Sequence, residues 1–410
     1  MNDLNSETRR IYAGAFASFS AELTGDSLMA EAELATGLND WGGRRWGEER
    51  FRHELHLLCS SIEAEAELSE LGRTRGHSRL LTMLISRLRY LAYRSAHTGL
   101  DQQQIKRPLV GSGLPRAGTT FLHTLLGQDP SIRSPRHWEV ALNVPPPEPK
   151  TYEDDVRAEI FDELLAFQGL DDPALSRLKP IYAVQPEECV FLHETAVGSM
   201  NAAYFRVPSF IRSRSPDMSY HYNWQIGVMQ MLQSRFDNPR WSLKSASHLF
   251  SWNELLMAFP DACLYVNHRD PAKVVPSVAN LHLLFRRVFS DDPGDLHKVA
   301  GQQMAVYARA VNAHVDWRQN NPDGPRVVDI HFSDLTARPL EAVAQIYDAF
   351  DMTLDATVID RINRFVEIDH HGKKPARKYG LTEYGLTEKA IEDAFGKYID
   401  YFNIKRENRG

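Results

Sequence analysis

The chain has 410 residues, 43% of them hydrophobic and 25% charged. That balance belongs to a folded globular protein, and the length allows one large domain with appendages or two domains. Lys and Arg number 47 against 54 Asp and Glu, a net charge of −7, which argues against general nucleic-acid binding. Any polyanionic ligand must be gripped by a local group of basic side chains.

The start, Met1 to Arg10, lacks a cationic end followed by an apolar core, so it does not read as a secretory signal. No apolar run is long enough to span a bilayer. The expectation is a cytoplasmic protein, with transient membrane contact left open. Cys59, Cys189 and Cys263 are far apart and form no CxxC pair. They read as small buried hydrophobes, not as a metal or disulfide framework.

Residues 1–104 carry helical patterns and read as a helical N-terminal extension. Phe51, Leu55, Leu58 and Ile62 share one stripe, and Leu80, Leu84, Leu88 and Leu91 another. Gly72 and Gly76 are expected to punctuate the two. From residue 105 short β-prone runs alternate with helical stretches. Candidate strands are 108–112, 240–245, 263–268 and 326–332. The alternation predicts an α/β fold, a central parallel sheet flanked by helices, with ligands at the carboxyl ends of the strands.

Residues 145–235 interrupt that alternation. Pro145 to Pro149 punctuates the chain, the acidic Glu153, Asp154 and Asp155 read as helical, and an aromatic-rich part follows through Trp224. The stretch is expected to be a helical insertion that walls an acceptor pocket. Residues 339–350 form an amphipathic helix with Leu340, Val343, Tyr347 and Phe350 on one face, and another helix is expected near 388–402.

Three constellations carry chemistry. First, Leu109-Val110 runs into a turn from Gly113 to Gly118 and then into a helical pattern. Strand, glycine turn and helix aim backbone N–H groups at an anion. A nucleoside-triphosphatase loop would continue with Lys-Ser/Thr, whereas here Thr119-Thr120 follow and the cation is Arg116. Second, Arg269 ends the strand Cys263–His268, and Ser277 follows within the next helical stretch. An arginine fork, a hydroxyl and a helix start are what a phosphate needs. Third, Trp241 to His248 places Lys244 at a strand end and His248 four residues on.

The segment Pro115-Arg116-Ala117-Gly118-Thr119-Thr120 resembles the 5′-phosphosulfate loop of sulfotransferases, which use 3′-phosphoadenylyl sulfate (PAPS). Ala117 departs from the serine usual there. The resemblance runs in order over about residues 105–380, looks like the bacterial branch, and implies a P-loop-like sulfotransferase domain over 105–410. It implies donor contacts from Arg116, Ala117, Gly118, Thr119 and Thr120, adenine stacking by Phe121, and a grip on the 3′-phosphate by Arg269 and Ser277. Lys244 would face the transferring sulfuryl group, and Arg116 would join Lys244, the threonines and the helix end in stabilising the charge that the leaving 5′-phosphate gains. A late basic loop, represented by Lys373, would close over the donor. The base that takes the acceptor proton is Glu139, in Pro135 to Glu139, or else His248. The acceptor is expected to be a small-molecule or lipid-like alcohol, with no metal and no nucleic acid. Asp329 is the best metal-holding carboxylate available to the rival reading, a nucleotide kinase or NTPase with a variant loop. A non-catalytic nucleotide-binding relative is the third reading, and oligomeric state is left open.

Overall fold

Apolar stripes at helical spacing form helices, and short apolar runs bounded by turn residues form one sheet. The structure, a computed structural model, describes residues 2–237, 239–372 and 379–407. It divides into two units. One comprises Met1–Ile105, Pro135–Asn238 and Leu281–Gly294; the other comprises Lys106–Ser134, Pro239–Asn280 and Asp295–Gly410. No described helix is long and apolar enough to cross a membrane.

The first unit is helical. Its helix Glu48–Glu65 buries Phe51, Leu55, Leu58 and Ile62, and the helix Glu70–Ala96 buries Leu80, Leu84, Leu88 and Leu91. The break between them falls at Ala66–Ser69, not at the glycines. Ser69 caps the second helix by accepting from the Gly72 amide at 2.9 Å. Gly72 lies inside that helix because Phe289 crosses it closely: a Cβ there would stand 1.7 Å from the Phe289 carbonyl oxygen. The acidic trio is likewise not helical. It precedes the helix Val156–Phe167, which Asp155 caps while pairing with the buried Arg157 at 2.7 Å. Asp favours that capping position over a helix interior. Most aromatics of 145–235 are core. Trp224 is buried beside Tyr90, with the Arg87 guanidinium 4.1 Å from its ring centre, while Tyr182 is exposed.

The second unit is built on a five-stranded, wholly parallel sheet in the order β2-β3-β1-β4-β5. The strands are β1 (Leu109–Gly113), β2 (Ile132–Arg133), β3 (Arg240–Lys244), β4 (Cys263–His268) and β5 (Val327–His331). Four of the five were readable as apolar runs. The two-residue β2 is too short to show a period. β1 is central, with Leu109 registered against both Ser242 of β3 and Cys263 of β4. The chain leaves β1 toward the β2–β3 side and later crosses to the β4–β5 side. The carboxyl ends around β1 are therefore the switch point where such sheets bind ligands.

One face of the sheet packs Leu109, Tyr265, Val328 and Ile330 against Leu122, Leu125 and Leu126 of the helix Thr119–Leu126. Val343, Ile346 and Tyr347 of the helix Pro339–Ala349 complete that core. Tyr347 donates its hydroxyl to Asp129 at 2.7 Å, fixing the turn into β2.

Candidate active site

The turn after β1 is set by backbone geometry. The Ala117 amide donates to the Leu114 carbonyl at 3.2 Å, and Gly118 takes φ +81°, the left-handed region that glycine enters without strain. A Cβ on Gly118 would also meet Leu335 at 2.9 Å and Phe332 at 3.1 Å. The first bond of the helix Thr119–Leu126 runs from the Leu122 amide to the Gly118 carbonyl at 3.0 Å. The amides of Thr119 and Thr120 lie ahead of that bond, at the positive end of the helix dipole. Asn267, buried at the end of β4, donates to the Ala117 carbonyl at 3.3 Å and pins the loop to the sheet.

Arg116 also has positive φ, +67°, a conformation that costs a non-glycine residue about 1–2 kcal/mol. Two contacts hold it there. Its Nε donates to Ser277 Oγ at 3.3 Å, and its carbonyl accepts from Arg269 Nη1 at 2.6 Å. The sequence order separates the loop cation from the Arg269–Ser277 pair; the fold joins them by hydrogen bonds at the ends of β1 and β4. The Arg269 guanidinium lies 3.7 Å from the centre of the Phe332 ring. Burial lowers the Arg116 pKa; Tyr379 opposes this and the like charge of Arg269 adds to it. A desolvated cation beside a second cation is a ready acceptor for an anion.

On the other flank, Lys244 ends β3 with 1% exposure, and its Nζ donates to Thr120 Oγ1 at 3.4 Å. His248 is buried in the short turn Ala246–Phe250, which Ser245 caps by accepting from the Ser247 amide at 3.1 Å. Arg116, Ala117, Gly118, Thr119, Thr120, Lys244, Arg269 and Ser277 thus gather at the carboxyl ends of β1, β3 and β4. Phe121 packs against the core below the sheet, its ring 6.3 Å from that of Phe365. Lys373 lies outside the described residues. Tyr379, where the described residues resume, accepts at its hydroxyl from Asn280 at 3.3 Å, and the helix Ala356–Gly372 precedes Lys373.

Asp329 is held as a structural anion. Arg318 reaches both its oxygens at 3.1 and 3.0 Å, and His268 lies 2.9 Å from one of them. Burial works against the charge, but these two partners hold the carboxyl below its ordinary range. Among the described residues no group of His, Cys, Asp and Glu is arranged to hold a metal ion.

Glu139 belongs to the helical unit. It is fully buried in the short helix His137–Ala141 and accepts from the Arg136 amide and the Tyr152 hydroxyl, each at 3.0 Å. Its position three residues after Arg136 makes it the reciprocal half of a helix cap. In the same unit a half-open cavity is lined by Met83, Val140, Phe161, Leu165 and Phe191, with the Arg79–Glu194 ion pair at its wall. Burial, opposed by Glu187, drives nearby His137 down to about 4, so it is neutral at pH 7.

Sequence reasoning passed over Asn267, Phe332 and Glu407. The first two sit at strand ends, where the α/β rule directs attention. Glu407, which pairs with Arg269, lies 138 residues away along the chain and left no local signal.

A parallel sheet whose central strand ends in a glycine turn, with cations at the ends of three adjacent strands, is an α/β arrangement with the geometry to hold an anion. Residues 108–356 match the model of the Sulfotransferase family, more than half of the chain, and the protein belongs to that family. It is similar over 96% of its length to all of sulfotransferase STF9 from Mycobacterium avium, with 28% identity and a TM-score of 0.85. It is also similar to sulfotransferase STF1 from Mycobacterium tuberculosis H37Rv, with 26% identity and a TM-score of 0.78 over 92% of this chain and 99% of that one. No curated protein sequence gives a significant match.

Proposed function

We propose that this sulfotransferase draws its sulfuryl group from PAPS and delivers it to the hydroxyl of a small-molecule or lipid-like acceptor. The observation that carries the reading is the junction of Arg116, Arg269 and Ser277 at the lip of β1 and β4, next to the loop amides and Lys244. The donor supplies an activated sulfuryl group on its 5′-phosphate and carries a second phosphate at the 3′ position. The Arg269 guanidinium and the Ser277 hydroxyl suit the 3′-phosphate, and Arg116 of the 5′ loop is bonded to both. The amides of Thr119 and Thr120, the Thr120 hydroxyl and Lys244 suit the 5′ end. The residues present therefore fit the donor.

In the proposed reaction a base takes the acceptor proton as the hydroxyl attacks in line. Glu139 is the first candidate and His248 the second. Lys244 and the start of the loop helix stabilise the charge that grows on the leaving oxygen. A transferring sulfuryl group carries less charge than a phosphoryl group, so fixed side-chain cations suffice for it. The test is transfer of label from radiolabelled PAPS to phenols, sterols, long-chain alcohols and sugars. Transfer to at least one class is expected; none with any class, together with hydrolysis of ATP, would overturn the reading.

A further inference from the structure

Arg269 has a second anionic partner. Glu407, in the segment after the helix Glu388–Tyr401, accepts from Arg269 Nε at 2.7 Å and from Nη2 at 2.9 Å. This is the bidentate fork that arginine makes with carboxylates. The segment is anchored beside it. The Glu407 amide donates to Asp270 Oδ2 at 3.0 Å, and Arg406 Nη1 donates to Asp270 Oδ1 at 3.1 Å. Arg406 also reaches Glu392 at 3.1 Å. Asp270 is 2% exposed, and its Oδ1 accepts from the Ala272 amide at 3.0 Å as well. Asp270, adjacent in sequence to the cation, thus holds the segment that holds the cation.

We infer that Glu407 is a positioning residue for Arg269 in binding the donor's 3′-phosphate. The inference rests on the reading of Arg269 given above. A guanidinium has five N–H donors. Glu407 takes two and the Arg116 carbonyl one, so 5 − 3 = 2 remain for an incoming anion. The Phe332 ring packs on one face of the group and the carboxylate clamps one edge. The side chain is therefore ordered before the ligand arrives, and an ordered fork loses less freedom on binding than a mobile one. The same bond to the Arg116 carbonyl ties this clamp to the positive-φ turn of the loop.

The test is calorimetric titration with 3′-phosphoadenosine 5′-phosphate and, separately, adenosine 5′-phosphate, which lacks the 3′-phosphate. Glu407→Ala should weaken the first by about tenfold and leave the second unchanged, since only the 3′ grip is loosened. Glu407→Gln keeps one acceptor oxygen and should recover part of the loss. Arg269→Ala should lower the ratio of affinities, 3′-phosphoadenosine 5′-phosphate over adenosine 5′-phosphate, and Arg269→Ala with Glu407→Ala should be no worse than Arg269→Ala alone. If Arg269→Ala lowers the ratio and Glu407→Ala does not, the positioning role is wrong and the donor site stands. Tighter binding by Glu407→Ala would make the carboxylate a competitor of the phosphate and also overturn the inference. A ratio unmoved by Arg269→Ala overturns the donor-site reading, and the role of Glu407 with it.

Discussion

Replacing Lys244 by Met keeps an unbranched side chain of similar volume at the buried end of β3 and removes its charge. The Nζ lies 3.4 Å from Thr120 Oγ1, at the start of the loop helix. A unit charge about 4 Å from a full negative charge is worth about 4 kcal/mol at an effective dielectric of about 20. Only part of a charge develops on the leaving oxygen, so the loss of barrier stabilisation should be ~2–4 kcal/mol, or about 30- to 10³-fold in turnover. The assay is sulfuryl transfer at saturating donor, beside calorimetry of 3′-phosphoadenosine 5′-phosphate. Because the interaction grows toward the transition state, the loss should appear chiefly in kcat, with product affinity falling less than about tenfold. Turnover within about fivefold of wild type, or a loss confined to donor KM, would refute the assignment.

Glu139→Gln keeps an acceptor oxygen for the Arg136 amide and Tyr152 but removes the base. It should cut turnover by about 10²-fold or more without changing nucleotide affinity; if turnover survives and His248→Ala abolishes it, His248 is the base. Gly118→Ala forces a Cβ into the left-handed region and against Leu335 and Phe332. It should destabilise the protein by at least about 1–2 kcal/mol and weaken nucleotide binding, and an unchanged melting temperature would contradict the turn geometry. Asp329→Asn should lower stability at pH 7 by about 1–3 kcal/mol, since it breaks the paired contact with Arg318. The folded carboxyl is held low, so it binds fewer protons than the unfolded one and its contribution fades as pH falls below about 4. Denaturant midpoints of wild type and variant should therefore converge in acid, and an equal gap at pH 7 and pH 3 would disprove the coupling. EDTA should leave transfer unchanged, and its loss on chelation with recovery on adding magnesium would contradict the fixed-cation mechanism.

What the sequence revealed was local. The runs Leu109-Val110 and Cys263 to His268 are apolar enough to be buried strands, and the spacing of Arg269 and Ser277 places both near one helix start. Long-range pairings were not visible. Nothing near Arg116 says that its side chain meets Ser277, because that bond depends on β1 and β4 being neighbours. Asp329 looked available for a metal until the fold brought Arg318 and His268 to it. Gly72 looked like a break because a glycine has one appearance in sequence and two uses, a turn or a close crossing; the Phe289 backbone decides for the second. The acidic trio failed because charge alone does not separate a helix from the cap ahead of it.

The central claim is that the lip of this sheet grips a 3′,5′-bisphosphorylated adenosine by both ends. Titration of the wild-type protein with 3′-phosphoadenosine 5′-phosphate, beside ATP with magnesium, tests it most directly. The account predicts saturable binding of the bisphosphate, with adenosine 5′-phosphate at least about tenfold weaker and the magnesium nucleotide weaker still. Tight binding of ATP with magnesium and none of the bisphosphate would contradict it.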